Sequence, residues 1–177
     1  MFTATAIAIL LEQKKLNLDA PFINYFPDFP VQEANKITIK QLMQHTSGFS
    51  DLFFEKAYLK SDRNRLRKLE DYDQFYELLR IDKVSENQIS YSNTNYLILG
   101  RIIEKVSGID YYTFLDEHIF QPLKMNSTGF FEKDEIVMNK AEGYFIDPQA
   151  AMEFEVPNDG RLCSNVAVRP VKGMPAG

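Results

Sequence analysis

The chain has 177 residues, room for one ordinary domain with a real core and too few for two large ones. Hydrophobic residues make up 45% and charged residues 25%, a globular composition, and 20 basic against 25 acidic residues leave a net charge of -5. That balance argues against a nucleic-acid partner, and the single cysteine, Cys163, excludes an internal disulfide and a cysteine-rich zinc site.

The opening run from Thr3 to Leu11 has the look of a signal-peptide core. No basic region precedes it, however, and Glu12-Gln13-Lys14-Lys15 stands where a small-residue cleavage site belongs. At about nine residues it is far below the roughly 20 that span a bilayer, and no other window qualifies as a transmembrane segment. Residues 2–16 are therefore expected to form a helix apolar over most of its circumference, with neighbours on several sides. Asp19 and Pro21 mark a turn, and Pro27 and Pro30 make Tyr25-Phe-Pro-Asp-Phe-Pro30 an ordered aromatic loop. Thr38 is placed to cap a short helix to about Gln44, with Ile39, Leu42 and Met43 facing inward.

Residues 60–70 read as a solvated, charged surface segment. A helix is expected from Asp71, with Phe75, Leu78 and Leu79 as its apolar positions. The strongest helical pattern runs from about Thr94 to Ser107, with Tyr96, Leu99, Ile102, Ile103 and Val106 on one face and Gly108 as a left-handed cap. Asp110 is placed to cap a further helix from Tyr111 to about Phe120, which Pro122 stops. Beyond residue 125, Gly and Pro punctuate short segments, and residues 128–131 and 143–146 could be short strands. The whole is expected to be mainly α, as a single unit over residues 1–177 without a clear boundary.

Chemistry-bearing patterns are few. His45 and His118 are the only histidines. Neither has a metal-ligand spacing, so both are read as structural, His45 bonding backbone carbonyls at a helix end. No Gly-rich phosphate loop, G-x-S-x-G elbow or other cofactor motif is present, so no cofactor or metal is expected. Tyr91-Ser92-Asn93 stands directly before the strong helix, where Ser92 or Asn93 could simply cap it. Around it lie His45-Thr-Ser-Gly48 upstream, Ser107-Gly108 and Tyr112, and Phe120-Gln-Pro-Leu-Lys-Met-Asn-Ser-Thr128 downstream.

In order and spacing these blocks resemble the serine β-lactamase and penicillin-binding-protein-like family, in the class C branch that also holds D,D-carboxypeptidases and esterases. Phe2-Thr-Ala, Leu16-Asn-Leu-Asp-Ala-Pro21, Tyr25-Phe-Pro27 and Ile37-Thr-Ile-Lys-Gln-Leu42 extend the resemblance over almost the whole chain. It implies the helical region of an α/β fold whose main antiparallel sheet is largely missing from this chain. It also implies a serine in an S-x-x-K motif that attacks a carbonyl and forms an acyl-enzyme. By resemblance Tyr91 is the catalytic tyrosine and Asn93 the substrate-binding residue, while Ser92 between them points away. A free phenol, with a pKa of about 10, needs neighbouring positive charge to act as a base at neutral pH.

None of the serines has a lysine three residues on: Ser47 is followed by Ser50, Ser61 by Asn64, Ser85 by Gln88 and Ser164 by Ala167. The Lys-Thr-Gly or His-x-Gly type strand motif is also absent. The chain therefore reads as an internal fragment that is inactive alone. Its parent would be an exported bacterial enzyme acting on a small-molecule or peptide substrate, namely a β-lactam, a D-Ala-D-Ala peptide or an ester. The alternatives are a non-catalytic helical binding module and a helical scaffold without a site, the latter requiring a buried Tyr91. A first helix left uncovered by the missing sheet would favour a homodimer.

Overall fold

The computed structural model describes residues 1–62, 65–82, 88–131 and 135–141, and the backbone of 144–145 and 163–164. These residues fall into two compact units, one built on Met1–Gly129 and the other within Phe130–Gly173. The first unit is helical. Its α-helices are α1 (Phe2–Glu12), α2 (Ile39–Met43), α3 (Lys56–Leu59), α4 (Asn93–Ser107) and α5 (Tyr111–Leu115), joined by short 3-10 turns. In the second unit, Tyr144–Phe145 pairs antiparallel with Cys163–Ser164. The strand expected at residues 128–131 is absent, since Thr128 N–H closes a turn onto Met125. Gly143 and Ile146, the ends of the other expected strand, lie outside the described residues. No helix among the described residues is long and apolar enough to cross a membrane.

The helix α4 is the hub, packing against α1, α2 and α5. Leu97, Ile98, Leu99, Ile102 and Ile103 are all fully or nearly fully buried, so its middle is covered more widely than the single face its periodicity suggests. Gly108 ends it at φ +79°, in the left-handed region that glycine enters without strain. Asp110 then accepts the N–H groups of Tyr112 and Thr113, capping α5 as its position predicts. A π turn carries that helix on to Phe120.

The first helix stops four residues before the expected end. Lys14 takes φ +58°, its N–H bonds Leu11 and the Lys15 N–H bonds Leu10, which is a Schellman closure on a lysine. Leu16 is thereby turned back into the core. On α1 itself Ile7 and Leu10 are fully covered, Ile9 and Leu11 are half-buried, and the open positions are Thr5, Ala8 and Glu12. Large aliphatic side chains on this helix are thus covered better than the sequence suggests. Thr3 shares a 2.8 Å hydrogen bond with the Tyr111 hydroxyl, whose burial pushes that phenol up to about 12.

The segment from Asp71 is not an α-helix. A 3-10 helix spans Leu69–Leu78 and puts Leu69, Tyr72 and Phe75 in one buried row, as three residues per turn requires. Leu78, the last residue of the helix and next in that row, is exposed, while Leu79 just beyond it is buried. The row also draws Leu66 and Leu69 out of the charged 60–70 segment into the core. Phe22, Phe26, Phe29, Phe49 and Tyr76 form an aromatic cluster, edge-to-face except for the tilted Phe29–Tyr76 pair, so the proline-bounded loop is ordered as expected. Thr38 and Gln41 form a reciprocal capping box at the start of α2. That short helix delivers the chain to His45.

Candidate active site

At its N-terminal end α4 meets the loop of residues 45–52, and most of their contact is polar. His45 leaves α2 at φ +55°, which swings its ring away from the helix end toward Ser92 and Asn95. Nδ1 accepts the Ser92 N–H at 3.3 Å and the Asn95 amide at 3.2 Å. The His45 carbonyl accepts the Ser90 N–H at 2.8 Å. The ring therefore serves backbone and amide N–H groups, not the carbonyls anticipated for it. A backbone N–H can only donate, so Nδ1 is the lone-pair nitrogen and the proton of the neutral imidazole sits on Nε2. Burial holds His45 below its ordinary value, against the upward pull of the Asp51 carboxylate.

Five further hydrogen bonds continue this lattice. Ser47 Oγ donates to Asn95 Oδ1 at 2.6 Å and accepts the Phe49 N–H at 3.2 Å. The Ser50 carbonyl accepts from Ser92 Oγ at 3.2 Å and from Thr94 Oγ1 at 2.9 Å. Thr94 Oγ1 in turn accepts the Leu52 N–H at 2.8 Å. Ser47, Ser92, Thr94 and Asn95 are all buried, and each is satisfied by this pairing. On the loop's other side Gly48, at φ +79°, lies so close to the chain that a β-carbon would stand 2.4 Å from the Asp82 carbonyl oxygen. Only glycine fits there.

Tyr91 and Asn93 stand on the outer edge of this lattice. Tyr91 is 64% exposed, and its hydroxyl donates to Asn93 Oδ1 at 3.1 Å. Its ring lies 4.4 Å from that of His45, which also stacks at 5.1 Å on Tyr96. Burial raises the Tyr96 phenol, with Tyr91 adding to the effect. Ser92 lies between the two site residues and is fully buried. It does not cap the helix with its side chain. That work falls to Asp51, whose Oδ2 accepts both the Asn93 N–H at 3.0 Å and the Asn93 side-chain amide at 2.7 Å. The structure thus brings together the two residues singled out from the sequence, and it adds His45, Ser47, Asp51 and Asn95. Among the described residues, no group of three or more His, Cys, Asp or Glu side chains could hold a metal ion. Cys163 is described only in its backbone.

The blocks 45–48 and 91–96, which carry part of the sequence resemblance, are therefore hydrogen-bonded neighbours. Residues 1–167 match the family described as Beta-lactamase. The chain belongs to the β-lactamase family. It is 31% identical to a protein named as a penicillin-binding protein, PbpX of Bacillus subtilis (strain 168), over 90% of this chain and 38% of that one. Its identity to the teichoic acid D-alanine hydrolase of Staphylococcus aureus is 28%, over 88% of this chain and 36% of the relative. Among solved structures, a penicillin-binding protein from Bacillus halodurans superposes with a TM-score of 0.80 at 28% identity, covering 99% of this chain and 52% of its own. This β-lactamase-family chain thus has the fold of the penicillin-binding proteins in its described helical unit, and it spans 38%, 36% and 52% of these three proteins. Relatives in the family include a hydrolase by name, the D-alanine hydrolase.

Proposed function

We propose that this chain supplies the tyrosine-bearing half of the active site of a serine acyl-enzyme hydrolase. The observation that carries the reading is the solvent-facing Tyr91 hydroxyl, bonded to Asn93 at the start of α4 on a rigid polar base. In this reading an S-x-x-K serine attacks the substrate carbonyl. Tyr91 takes the serine's proton and later returns one to the leaving group. Asn93 donates its remaining amide N–H to the substrate's own amide or ester carbonyl. The substrate class is a D-alanyl amide or ester, or a β-lactam, in line with the D-alanine hydrolase among the relatives. The enzyme would act on cell-wall material outside the cytoplasm. The scaffold without a site needed a buried Tyr91, and at 64% exposure that side chain is available to a substrate.

Two measurements test this. The 177-residue chain alone, in which no serine has a lysine three residues on, should take no covalent label from a fluorescent penicillin; stoichiometric labelling of one of its serines would relocate the active site. In a protein that carries this chain together with the S-x-x-K segment, Tyr91→Phe should lower turnover about a hundredfold or more, the range for a positioned proton-transfer group. Unchanged turnover there would reduce Tyr91 to a helix-entry residue.

A further inference from the structure

The Asp51 carboxylate is more heavily used than a cap requires. Oδ1 accepts the Phe53 N–H at 3.0 Å and so starts the 3-10 turn Leu52–Phe54. Oδ2 accepts two donors from one residue, the backbone N–H of Asn93 at 3.0 Å and its side-chain amide at 2.7 Å. The backbone bond would be enough to cap α4, and negative charge is favourable at a helix N-terminus in any case. The side-chain bond does something else. A carboxylate can only accept, so it forces the Asn93 amide to present its nitrogen to Asp51 and its oxygen the other way. That oxygen is the one receiving the Tyr91 hydroxyl. One carboxylate thereby decides which end of an amide faces the tyrosine.

We infer that Asp51 is a positioning residue: it locks the orientation of the Asn93 amide and, through it, the direction of the Tyr91 hydroxyl. This rests on the reading of Tyr91 and Asn93 as the reacting pair and names the residue that keeps them aligned. The lock leaves Asn93 with one free N–H and one free lone pair, both with fixed directions. With the amide turned over, an NH₂ group would face the tyrosine, and the hydroxyl would lose its acceptor. An asparagine at position 51 has one oxygen for three donors, so it keeps either the Phe53 turn or the Asn93 amide, not both.

The experiment is NMR on the 177-residue chain, following the Asn93 side-chain amide, the Tyr91 ring and the Asp51 carboxyl carbon during an acid titration. Among the described residues His45 is a titrating group that feels the Asp51 charge, and its ring protons are followed separately. The Asn93 amide should move with the midpoint that the Asp51 carbon reports and not with that of His45, while Tyr91, whose ring lies 4.4 Å from His45, should show the Asp51 step in addition to the His45 one. In Asp51→Ala, which removes every side-chain acceptor at this position, exchange of the Asn93 side-chain protons should quicken about tenfold or more, as for loss of one hydrogen bond to a charged group. A merely structural Asp51 would shift the melting temperature and the Phe53 amide while leaving the Asn93 and Tyr91 signals indifferent to its titration. That result overturns the inference. If Asp51→Ala does not fold, the titration of the unaltered chain decides alone. None of these signals depends on turnover, so Asn93 following Asp51 while Tyr91→Phe keeps full activity would sink the functional reading and retain the lock.

Discussion

At its N-terminal end α4 is held by directional bonds between polar side chains, whereas its middle is held by Leu97, Ile98, Leu99, Ile102 and Ile103 packed against α1, α2 and α5. The C-terminal half adds an ion cluster, in which Arg101 meets Asp73 at 2.7 Å and Glu104 at 2.5 Å. Hydrophobic packing fixes the helix in the fold but specifies the direction of no individual group. The polar end contributes less apolar burial, and its hydrogen bonds set the directions of His45, Asn93 and Tyr91. A protein that must place reacting atoms has reason to put its lattice at one end of a helix and its core at the other.

The largest expected effect belongs to the packed half. Ile102 is fully buried on α4, and Ile102→Ala removes its side chain where the surroundings cannot all collapse. Denaturant unfolding should register a loss of about 2–5 kcal/mol. The hydrogen bonds among residues 45–52 and 91–95 should keep their amide shifts in the folded fraction. Rearranged lattice shifts at full folding would show that core and site are one cooperative unit, and the contrast between the two ends would dissolve.

A smaller effect belongs to the polar end and depends on pH. Burial holds the His45 imidazole below its ordinary value, so near that value the unfolded chain binds a proton that the folded chain does not. Stability from this group is therefore fully present above the ordinary imidazole value of about 6.5 and is lost as pH falls through the lowered folded value. Thermal melts should decline over that interval in the native chain, and His45→Asn should flatten the decline. The Tyr91 ring signal should shift in the same interval, because protonated Nδ1 can no longer accept the Ser92 N–H. A decline of equal size in His45→Asn would assign it to carboxylates instead.

How much of this was legible before the structure follows the range of the interactions. The caps at Thr38, Gly108 and Asp110 are local and were readable from neighbouring residues, as was the helix from about Thr94 to Ser107, which begins at Asn93. The 3-10 helix Leu69–Leu78 was missed because Phe75, Leu78 and Leu79 fit a 3.6-residue period by themselves, and the competing row starts at Leu69. Tyr91 and Asn93 were visible only through the family pattern. Their support from Ser47, Asp51 and Asn95 was not, since it pairs two short uncharged-to-acidic polar runs more than 40 residues apart. A clue was present nonetheless: His45-Thr-Ser-Gly-Phe-Ser-Asp51 and Tyr91-Ser-Asn-Thr-Asn95 are the kind of donor-and-acceptor runs that need a partner if buried.

The smallest effect returns to the packed half, where one polar atom breaks the pattern. Tyr76 is fully buried in the aromatic cluster, and its hydroxyl finds no hydrogen-bond partner among the described residues. Burial raises that phenol well above its ordinary value, with Asp73 adding to the effect. Leaving a hydroxyl unpaired in an apolar setting costs about 1–3 kcal/mol, so deleting it should recover part of that cost while the ring keeps its packing against Phe29 at 5.1 Å. Tyr76→Phe should accordingly melt at the same temperature or slightly higher. The ring also borders a hollow of about 380 Å³ shared with Asp28, Asp73, Glu77 and Lys105, a polar space in which water could stand. Should Tyr76→Phe instead melt several degrees lower, the hydroxyl is paired through such a water, and this half of α4 relies on a directional bond as its other end does.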